Sequence, residues 1–286
     1  MYGADTIRAV VDATLQTKPK GMTHWSCRTM AASQQVGKST IHTIWQSHNL
    51  QPHRVKRFKL SRDAKLLEKL TDVVGLYLNP PDKALVLCVD EKSHIQALDR
   101  PQPGLPLKKG RCGTMTHDDK RNGTTTLCAA LDVLQGRVVG ECSARHRHQE
   151  FLKFLRHVDH EFPGAIALHL VLDNYGTHKH PRVRGWLTRH PRFVPHFVPT
   201  RSSWLNLVER WLNELTNKRI RRGSFGSVEE LQAAIQDFLT TWNENPKPFG
   251  WTATVEAIVA KRSRCRQTLE KIRPGSTRPR VRKTPK

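Results

Sequence analysis

The 286-residue chain lacks cysteine pairs and long apolar runs. Its six cysteines are scattered, without the CxxC spacing of a zinc module or the framework of a disulfide-rich secreted domain. No stretch approaches the ~20 consecutive apolar residues that a membrane-spanning helix needs, and no secretory signal opens the chain. These absences predict a soluble, cytoplasmic protein with reduced thiols.

Acidic residues are also scarce, with 25 aspartates and glutamates against 48 lysines and arginines and a formal net charge of +23. Such an excess predicts a polyanionic partner, with DNA or RNA ahead of an anionic membrane surface. A GxxxxGK[ST] phosphate loop is absent, because Gly37-Lys38-Ser39 lacks the glycine five residues upstream. The sequence therefore favours nucleic-acid binding and gives no support to nucleotide hydrolysis.

Two short apolar runs each end in an aspartate. The run ALVLCVD ends in Asp90, and the run IALHLVLD ends in Asp173. Runs of this length and apolarity are typical of strands buried on both faces. Both aspartates would then lie at the carboxyl end of a sheet, where open α/β folds place their chemistry. His178 and Lys179 follow closely and are candidates either for orienting a phosphate or for entering a helix.

A third carboxylate comes from the helix predicted over residues 204–220. Glu209 and Glu214 lie at opposite borders of its apolar arc, and helical geometry alone does not choose between them. With Asp90 and Asp173, such an acid would complete an oxygen-ligand set for Mg²⁺. Two ions ~3.5–4 Å apart could then activate both oxygens of a phosphodiester exchange. The plainer alternative is an amphipathic helix with flanking acids, and aspartates that only cap turns.

Residues 23–50 predict a helix-turn-helix with its turn at Val36-Gly37-Lys38. The second helix turns polar side chains outward, where a recognition helix reaches base edges. These are Ser39, Thr40, His42, Thr43 and Gln46. A basic connector follows, whose residues are expected to contact phosphates or the minor groove. They include Arg54, Lys56, Arg57 and Lys59. An ordinary helical hairpin with a solvated linker fits the pattern equally well.

The order of elements predicts an α/β fold: a mixed five-stranded sheet with flanking helices, preceded by a helical domain. The predicted parts are a helix-turn-helix domain at 1–53, a basic linker and helix at 54–80, the sheet domain at 81–255 and a basic tail at 256–286. Residues 95–123 lack periodicity and predict a long functional or disordered loop. The tail is strongly basic and is predicted to be mostly disordered and attracted to phosphate.

Several motifs, taken in order, resemble those of bacterial insertion-sequence transposases of the IS six-thirty family, within the mariner-like superfamily of DDE type. They are LCVDEKSHIQALDR, GTTTLCAALDV, RHRHQEFLKFL, LVLDNYGTHK, SSWLNLVERW, RRGSFGSVEEL and WNENPKPFGWTAT. The motifs lie between residues 87 and 254, and the resemblance covers roughly residues 10–260. By this resemblance the 35 residues between Asp173 and Glu209 select Glu209 over Glu214.

The resemblance implies a ribonuclease-H-like catalytic domain with Asp90, Asp173 and Glu209 as catalytic and metal-binding residues. It implies Mg²⁺ (or Mn²⁺) as cofactor and double-stranded DNA as partner. It further implies cleavage at terminal inverted repeats and joining of the 3′ ends to a TA target. Residues 95–123 resemble the region where relatives place an inter-subunit clamp, so a homodimer is expected. A bacterial member would act in the cytoplasm, at the nucleoid.

Two features depart from the family pattern. Relatives usually carry a further helix-turn-helix ahead of this one, so the DNA-binding domain is expected to be incomplete on its N-terminal side. Relatives also tend to have glycine before the valine of the turn, where this chain has Gln35, and only glycine tolerates positive φ without strain. The rival interpretations are a catalytically impaired DNA-binding remnant that represses the element, and a nuclease of the same fold without end specificity.

Overall fold

The computed structural model describes residues 2–55, 60–102, 104–116 and 118–277. The chain forms two compact units, Met1–Phe58 and Lys59–Lys286. The first unit thus ends a little beyond the predicted boundary at residue 53. Lys56, Arg57 and Lys59, to which the sequence assigns DNA contacts, lie outside the described residues.

Three helices make up the first unit: Ala4–Gln16 (α1), Cys27–Gln34 (α2) and Lys38–Ser47 (α3). Ser26 caps α2, because its hydroxyl accepts the Thr29 N–H at 3.1 Å while the Thr29 hydroxyl accepts the Ser26 N–H at 3.0 Å. The Trp45 indole N–H donates to the Thr14 hydroxyl at 2.9 Å and ties α3 to α1. The apolar faces enclose a small core that includes Val10, Met30, Ile41 and Ile44.

The turn between α2 and α3 contains a residue in a strained conformation. Gln35 has φ +54° and ψ +38°, in the left-handed region. Residues with a Cβ atom pay roughly 1–2 kcal/mol there, whereas glycine is unstrained. The Gln35 N–H still donates to the Ala31 carbonyl oxygen and ends α2. The turn therefore forms with glutamine in the place of glycine, at a cost in stability.

The second unit is built on a mixed five-stranded sheet, as predicted. Its strands are Ala84–Asp99 (β1), Lys120–Asp132 (β2), Val138–Ser143 (β3), Ala167–Leu172 (β4) and Phe193–Phe197 (β5). Their spatial order is β3-β2-β1-β4-β5, with the first three strands antiparallel and β1, β4 and β5 parallel. β1 is the central strand and is buried on both faces, which explains its continuous apolar run.

Helices cover both faces of this sheet. They are Leu66–Leu78 (α4), His148–Glu161 (α5), Pro181–Arg189 (α6), Val208–Leu215 (α7), Val228–Glu244 (α8) and Val255–Ile272 (α9). One core lies under α4, α7 and α8, and a second lies under α5 and α6. We call these sides of the sheet the α7 face and the α5 face. Within the described ranges, no helix has the length and apolarity to cross a bilayer.

Side chains alternate between the two faces along the central strands. On β1, Val86 and Cys88 point to the α7 face, while Leu87 and Val89 point to the α5 face. On β4, Val171 points to the α7 face. This alternation determines which face receives each side chain at the carboxyl ends of these strands.

Two predictions about irregular regions are wrong. The region 95–123 is partly strand, because β1 continues to Asp99 with Ile95 and Ala97 buried on the α7 face, and β2 begins at Lys120. The tail predicted to be disordered from residue 256 contains α9 instead. This helix forms because Val255, Ile258 and Val259 pack against the core of the α7 face.

The single helix predicted over residues 204–220 is divided into three parts. A 3₁₀ turn at Ser203–Leu205 comes first, α7 follows, and Thr216–Ile220 form a π-helical turn. The division matters for function, because Glu209 then lies in the first turn of α7 rather than in the middle of a long helix.

We expect Gln35→Gly to stabilise the first unit by about 0.5–1 kcal/mol, because relief of left-handed strain outweighs the entropy that glycine adds to the unfolded chain. Amide hydrogen exchange across α2 and α3, followed by mass spectrometry, should slow by roughly 2–5-fold. Gln34→Gly is the control, because it places glycine in helical backbone one residue earlier and should speed exchange. Unchanged or faster exchange in Gln35→Gly would contradict the strain.

Candidate active site

Asp90 and Asp173 lie at corresponding positions of neighbouring parallel strands. β1 and β4 pair with Cys88 opposite Val171. Two residues further along each chain come Asp90 and Asp173, both on the α7 face, with strands spaced about 4.8 Å apart. Asp90 is only 9% exposed. The sequence predicted that this residue ends its strand, but β1 continues beyond it. It lies instead where the parallel pairing with β4 stops.

Glu209 approaches from the first turn of α7, and the residues before it fix the helix. The Asn206 side-chain N–H donates to the Val89 carbonyl oxygen at 2.8 Å, and the Tyr77 hydroxyl donates to the Leu205 carbonyl oxygen at 2.7 Å. Both hydrogen bonds are buried. Because Val89 directly precedes the aspartate of β1, Asn206 holds the start of α7 beside that aspartate.

Asp90 and Glu209 line one cleft of about 340 Å³, together with Lys92. Glu214, the acid that helical geometry left as an alternative, instead pairs with Lys218 at 2.6 Å near the surface. The fold therefore brings Glu209, and not Glu214, to the strand-borne aspartate. Glu209 lies in the first turn of α7, whereas Glu214 lies near the end of that helix.

Negative charge is concentrated around Asp90. Burial raises the pKa of its carboxyl group, the charges of Glu209 and Asp173 raise it further, and the result is about 8. The Glu91 backbone N–H donates to Asp90 Oδ1 at 2.8 Å, which offsets only part of this effect. A buried carboxylate surrounded by others is stabilised by a cation.

The donor set fits a hard divalent cation. Its donors are all carboxylate oxygens, the ligands that Mg²⁺ prefers, and the raised pKa of Asp90 reports a charge that such an ion would neutralise. Among the described residues, no three histidine, cysteine, aspartate or glutamate side chains converge closely enough to hold a metal by themselves. Mg²⁺ commonly takes one or two carboxylates and completes its shell with water and substrate phosphates. The arrangement suits that mode of binding.

His178 lies in the turn that leads into α6. It lies in the 3₁₀ turn Gly176–Lys179, and its ring is completely buried against Phe151, with 4.5 Å between ring centroids. Nε2 donates to Glu91 Oε1 at 2.9 Å. Nδ1 forms an ion pair with Asp173 Oδ1 at 3.1 Å and donates to the Asp173 backbone carbonyl oxygen at 3.4 Å. A buried ring cannot reach a phosphate, so of the two alternatives for His178 the structure fits helix entry, in the turn just ahead of α6. The Lys179 ammonium group donates a hydrogen bond to the side-chain oxygen of Asn174 in the same loop.

The three groups stabilise one another's charges. Burial alone would lower the pKa of His178, but its hydrogen bonds to Asp173 and Glu91 and their charges raise it to about 10. Burial opposes ionisation of Asp173, yet the hydrogen bonds from His178 and from the Tyr175 N–H lower its pKa. The ring is therefore an imidazolium between two carboxylates. Sequence reasoning missed Glu91, whose only signal was its position next to Asp90 on the opposite face of β1.

The predicted recognition face is accessible within the first unit. Of the predicted recognition residues on α3, Ser39, His42, Thr43 and Gln46 are exposed and Thr40 is half-buried. His42 and Gln46 line a cleft of about 460 Å³ together with Arg54. The outward orientation expected of a recognition helix is present, and its contact with DNA stays a prediction.

Stability should depend on pH through Asp90. In the unfolded chain this carboxyl has its ordinary pKa of 3.8, and in the fold its pKa is about 8. The folded state therefore binds the proton more tightly, and stability falls as pH rises from about 4 to about 8. Without divalent metal, the free energy of unfolding of Asp90→Asn should exceed that of wild type by about 1–3 kcal/mol at pH 8.5. At pH 4.5 the two free energies should differ little.

Urea unfolding in EDTA at these two pH values measures the difference. Asp237→Asn, which removes an exposed carboxylate from α8, serves as the control and should leave the pH dependence of wild type unchanged. Parallel pH curves for Asp90→Asn and wild type would show that the charge of Asp90 does not destabilise the fold.

Comparison with known proteins places this geometry in context. A 96-residue stretch, 34% of this chain, is 28% identical to the insertion element IS630 uncharacterized 39 kDa protein of Shigella sonnei. The stretch spans only 28% of that relative's length.

Two crystal structures share the fold. The Mos1 mariner paired end complex with Mn aligns over 93% of this chain and 78% of that one, with a TM-score of 0.56 and 14% identity. The Mos1 strand transfer complex aligns over 94% and 76%, with a TM-score of 0.54 and 15% identity. These similarities establish the ribonuclease-H-like fold that the sequence motifs implied.

The match to a family model covers the site itself. Residues 85–232, just over half of the chain, match the model for the DDE superfamily endonuclease. The matched region runs from β1 into α8 and includes Asp90, Asp173 and Glu209. The resemblance drawn from the motifs is therefore confirmed, and the chain belongs to the DDE superfamily of endonucleases.

Proposed function

We propose that the protein is a metal-dependent DNA transposase. It cleaves DNA at the terminal inverted repeats of its element and joins the 3′ ends to a TA target. The observation that carries this proposal is the placement of Asp90, Asp173 and Glu209 on one face of a ribonuclease-H-like sheet. Family membership supports phosphodiester cleavage. The insertion-element relative and the strand transfer complex favour transposition over general nuclease activity.

Asp90, Asp173 and Glu209 are the residues that would hold Mg²⁺ or Mn²⁺. When bound, a pair of such ions activates the attacking water or 3′-hydroxyl and stabilises the leaving oxygen of the phosphodiester. Asp90 contributes a buried carboxylate whose pKa is raised by both of the other acids, and Glu209 lines the same cleft from α7. Lys92 lines the same cleft, where its ammonium can contact a phosphate of the scissile strand.

Double-stranded DNA is the proposed partner, for two reasons. The net charge of +23 favours any polyanion. The exposed polar face of α3 adds side chains of the kind that read base edges, with Arg54 beside it for phosphate contact. The first unit would supply recognition of the terminal repeats, and the second unit would supply the chemistry.

The active species is proposed to be a homodimer. The connection between β1 and β2 carries exposed apolar side chains, with Leu105 71% and Leu107 77% exposed. A bridge between Leu105 and Thr114 shapes part of this connection into a hairpin-like projection. Exposed apolar groups on a projection are a common sign of protein contact, here with a second copy.

Cleavage of terminal-repeat DNA tests the assigned site. We expect wild type to nick DNA carrying the inverted repeats of the element with Mg²⁺ or Mn²⁺. Asp90→Asn, Asp173→Asn and Glu209→Gln should each lose at least about 100-fold in rate, because removal of a charge-stabilising group costs several kcal/mol at the transition state. Glu214→Gln makes the same change on α7 outside the cleft and should retain activity.

The outcomes separate the rival functions. Equal cleavage by wild type and Asp90→Asn would show that the assigned site is wrong. Specific binding without cleavage under any divalent ion would favour the repressor-like remnant. Equal cutting of unrelated DNA would favour a nuclease without end specificity.

DNA binding should separate base contacts from phosphate contacts. Gln46→Ala should weaken binding to terminal-repeat DNA by about 1–3 kcal/mol but leave binding to unrelated DNA nearly unchanged. Arg54→Ala should weaken both and reduce the slope of log K against log salt by about 0.9. Fluorescence anisotropy across a salt series measures both effects, with Gln16→Ala on α1 as control. Equal losses on both DNAs for Gln46→Ala would exclude base readout by this residue.

A further inference from the structure

The buried contact among Glu91, His178 and Asp173 is more than the fold requires. Burying charges costs several kcal/mol per ion, and an apolar side chain of similar volume often serves stability as well or better. The site of His178 is already packed by Phe151 and could be filled by an apolar ring. An ionic contact in this place therefore calls for a functional explanation.

The contact joins the two faces of the sheet at the edge where the carboxylates gather. Glu91 lies two residues beyond Val89 on β1, so by alternation its side chain points to the α5 face, where the His178 ring is buried. Asp173 follows β4 on the α7 face, with Asp90 beside it. Glu91 thus contacts Nε2 of His178 on the α5 face, while Nδ1 of the same ring contacts Asp173.

We propose that His178 is a positioning residue that orients the carboxylate of Asp173 for cation binding, and that Glu91 holds the His178 ring in the required direction. The inference rests on the proposed function, because it assumes that Asp173 binds a divalent ion. It adds two residues, Glu91 and His178, to the three acids of the family motif.

The hydrogen bonds of Asp173 support this role. Asp173 Oδ1 forms an ion pair with His178 Nδ1 at 3.1 Å and accepts the Tyr175 backbone N–H at 2.8 Å. Nδ1 also donates to the Asp173 backbone carbonyl oxygen at 3.4 Å, which holds the ring against this residue. Within the part of the chain that the structure describes, Oδ2 receives no hydrogen bond from the protein. Two donors on one oxygen fix the rotation of the carboxyl group and leave the other oxygen for a cation. Outer partners of this kind typically change metal affinity or activity by about 10–100-fold.

A purely electrostatic effect of His178 would have the opposite sign. A ring that donates from both nitrogens is an imidazolium, which repels a nearby cation. If charge were its main influence, replacing His178 with an uncharged residue would tighten metal binding. If orientation dominates, the same replacement weakens metal binding. The direction of the change therefore distinguishes the two effects.

Direct Mn²⁺ binding to the full chain without DNA provides the test, with water-proton relaxation as the readout. His178→Phe keeps a flat ring but removes both donors, and its half-saturating Mn²⁺ concentration should rise 10–100-fold. Glu91→Gln keeps an acceptor for the ring and should show a smaller rise. His178→Gln retains an amide donor that can reach Asp173, so part of the affinity should return. Phe151→Leu loosens packing around the ring, leaves both hydrogen bonds and should bind Mn²⁺ like wild type.

Each outcome decides something. An unchanged or lower half-saturating concentration in a folded His178→Phe protein, checked by circular dichroism, overturns the inference and leaves the proposed function standing. If His178→Phe does not fold, unchanged binding in both Glu91→Gln and His178→Gln overturns it. If wild type binds no Mn²⁺, or if Asp90→Asn binds Mn²⁺ as well as wild type does, the proposed function fails and this inference fails with it.

Discussion

Repulsion between carboxylates where the parallel pairing of β1 and β4 stops is the constraint on which the second unit depends. The register of β1 and β4 sets Asp90 beside Asp173, and α7 adds Glu209 to the same face. These carboxylates are partly buried, so their repulsion is screened less than that between charges exposed to water. Burial raises the pKa of Asp90 most, and the charges of Glu209 and Asp173 raise it further. A fold that holds three acids in this way favours the binding of a cation.

The surrounding structure resists this repulsion by rigid packing on both faces. β1 lies between two apolar cores, so Asp90 cannot move away without disturbing either. Asn206 fastens the start of α7 to the strand backbone, and Tyr77 fastens the preceding 3₁₀ turn to α4. These buried hydrogen bonds would be lost if the acids separated, and a buried carbonyl left unpaired costs about 1–3 kcal/mol. The two cores and these hydrogen bonds therefore hold the acids together against their repulsion.

The sequence predicted the features that local periodicity encodes. The run before Asp90 identified a strand buried on both faces, but the continuation of β1 to Asp99 escaped notice. A register shift between Lys92 and Ile95 breaks the alternation there, and His94 adopts a positive φ of +55°. The pairing of Glu91 with His178 joins residues far apart in sequence and leaves no local pattern. The sequence of α9 is rich in basic residues, and its few apolar positions, which pack against the core, gave too weak a pattern to predict a helix.

Charge distribution links metal binding to DNA binding. The chain as a whole attracts phosphate, with a net charge of +23, yet its cleft presents acids that repel it. A phosphate enters such a cleft easily only after a divalent ion has neutralised the carboxylates. The ion in turn needs phosphate oxygens, because the described side chains alone supply no complete set of ligands. On the proposed function, each partner would therefore strengthen the binding of the other, and by linkage the two enhancements must be equal. Such mutual dependence would restrict metal binding to protein that already holds DNA.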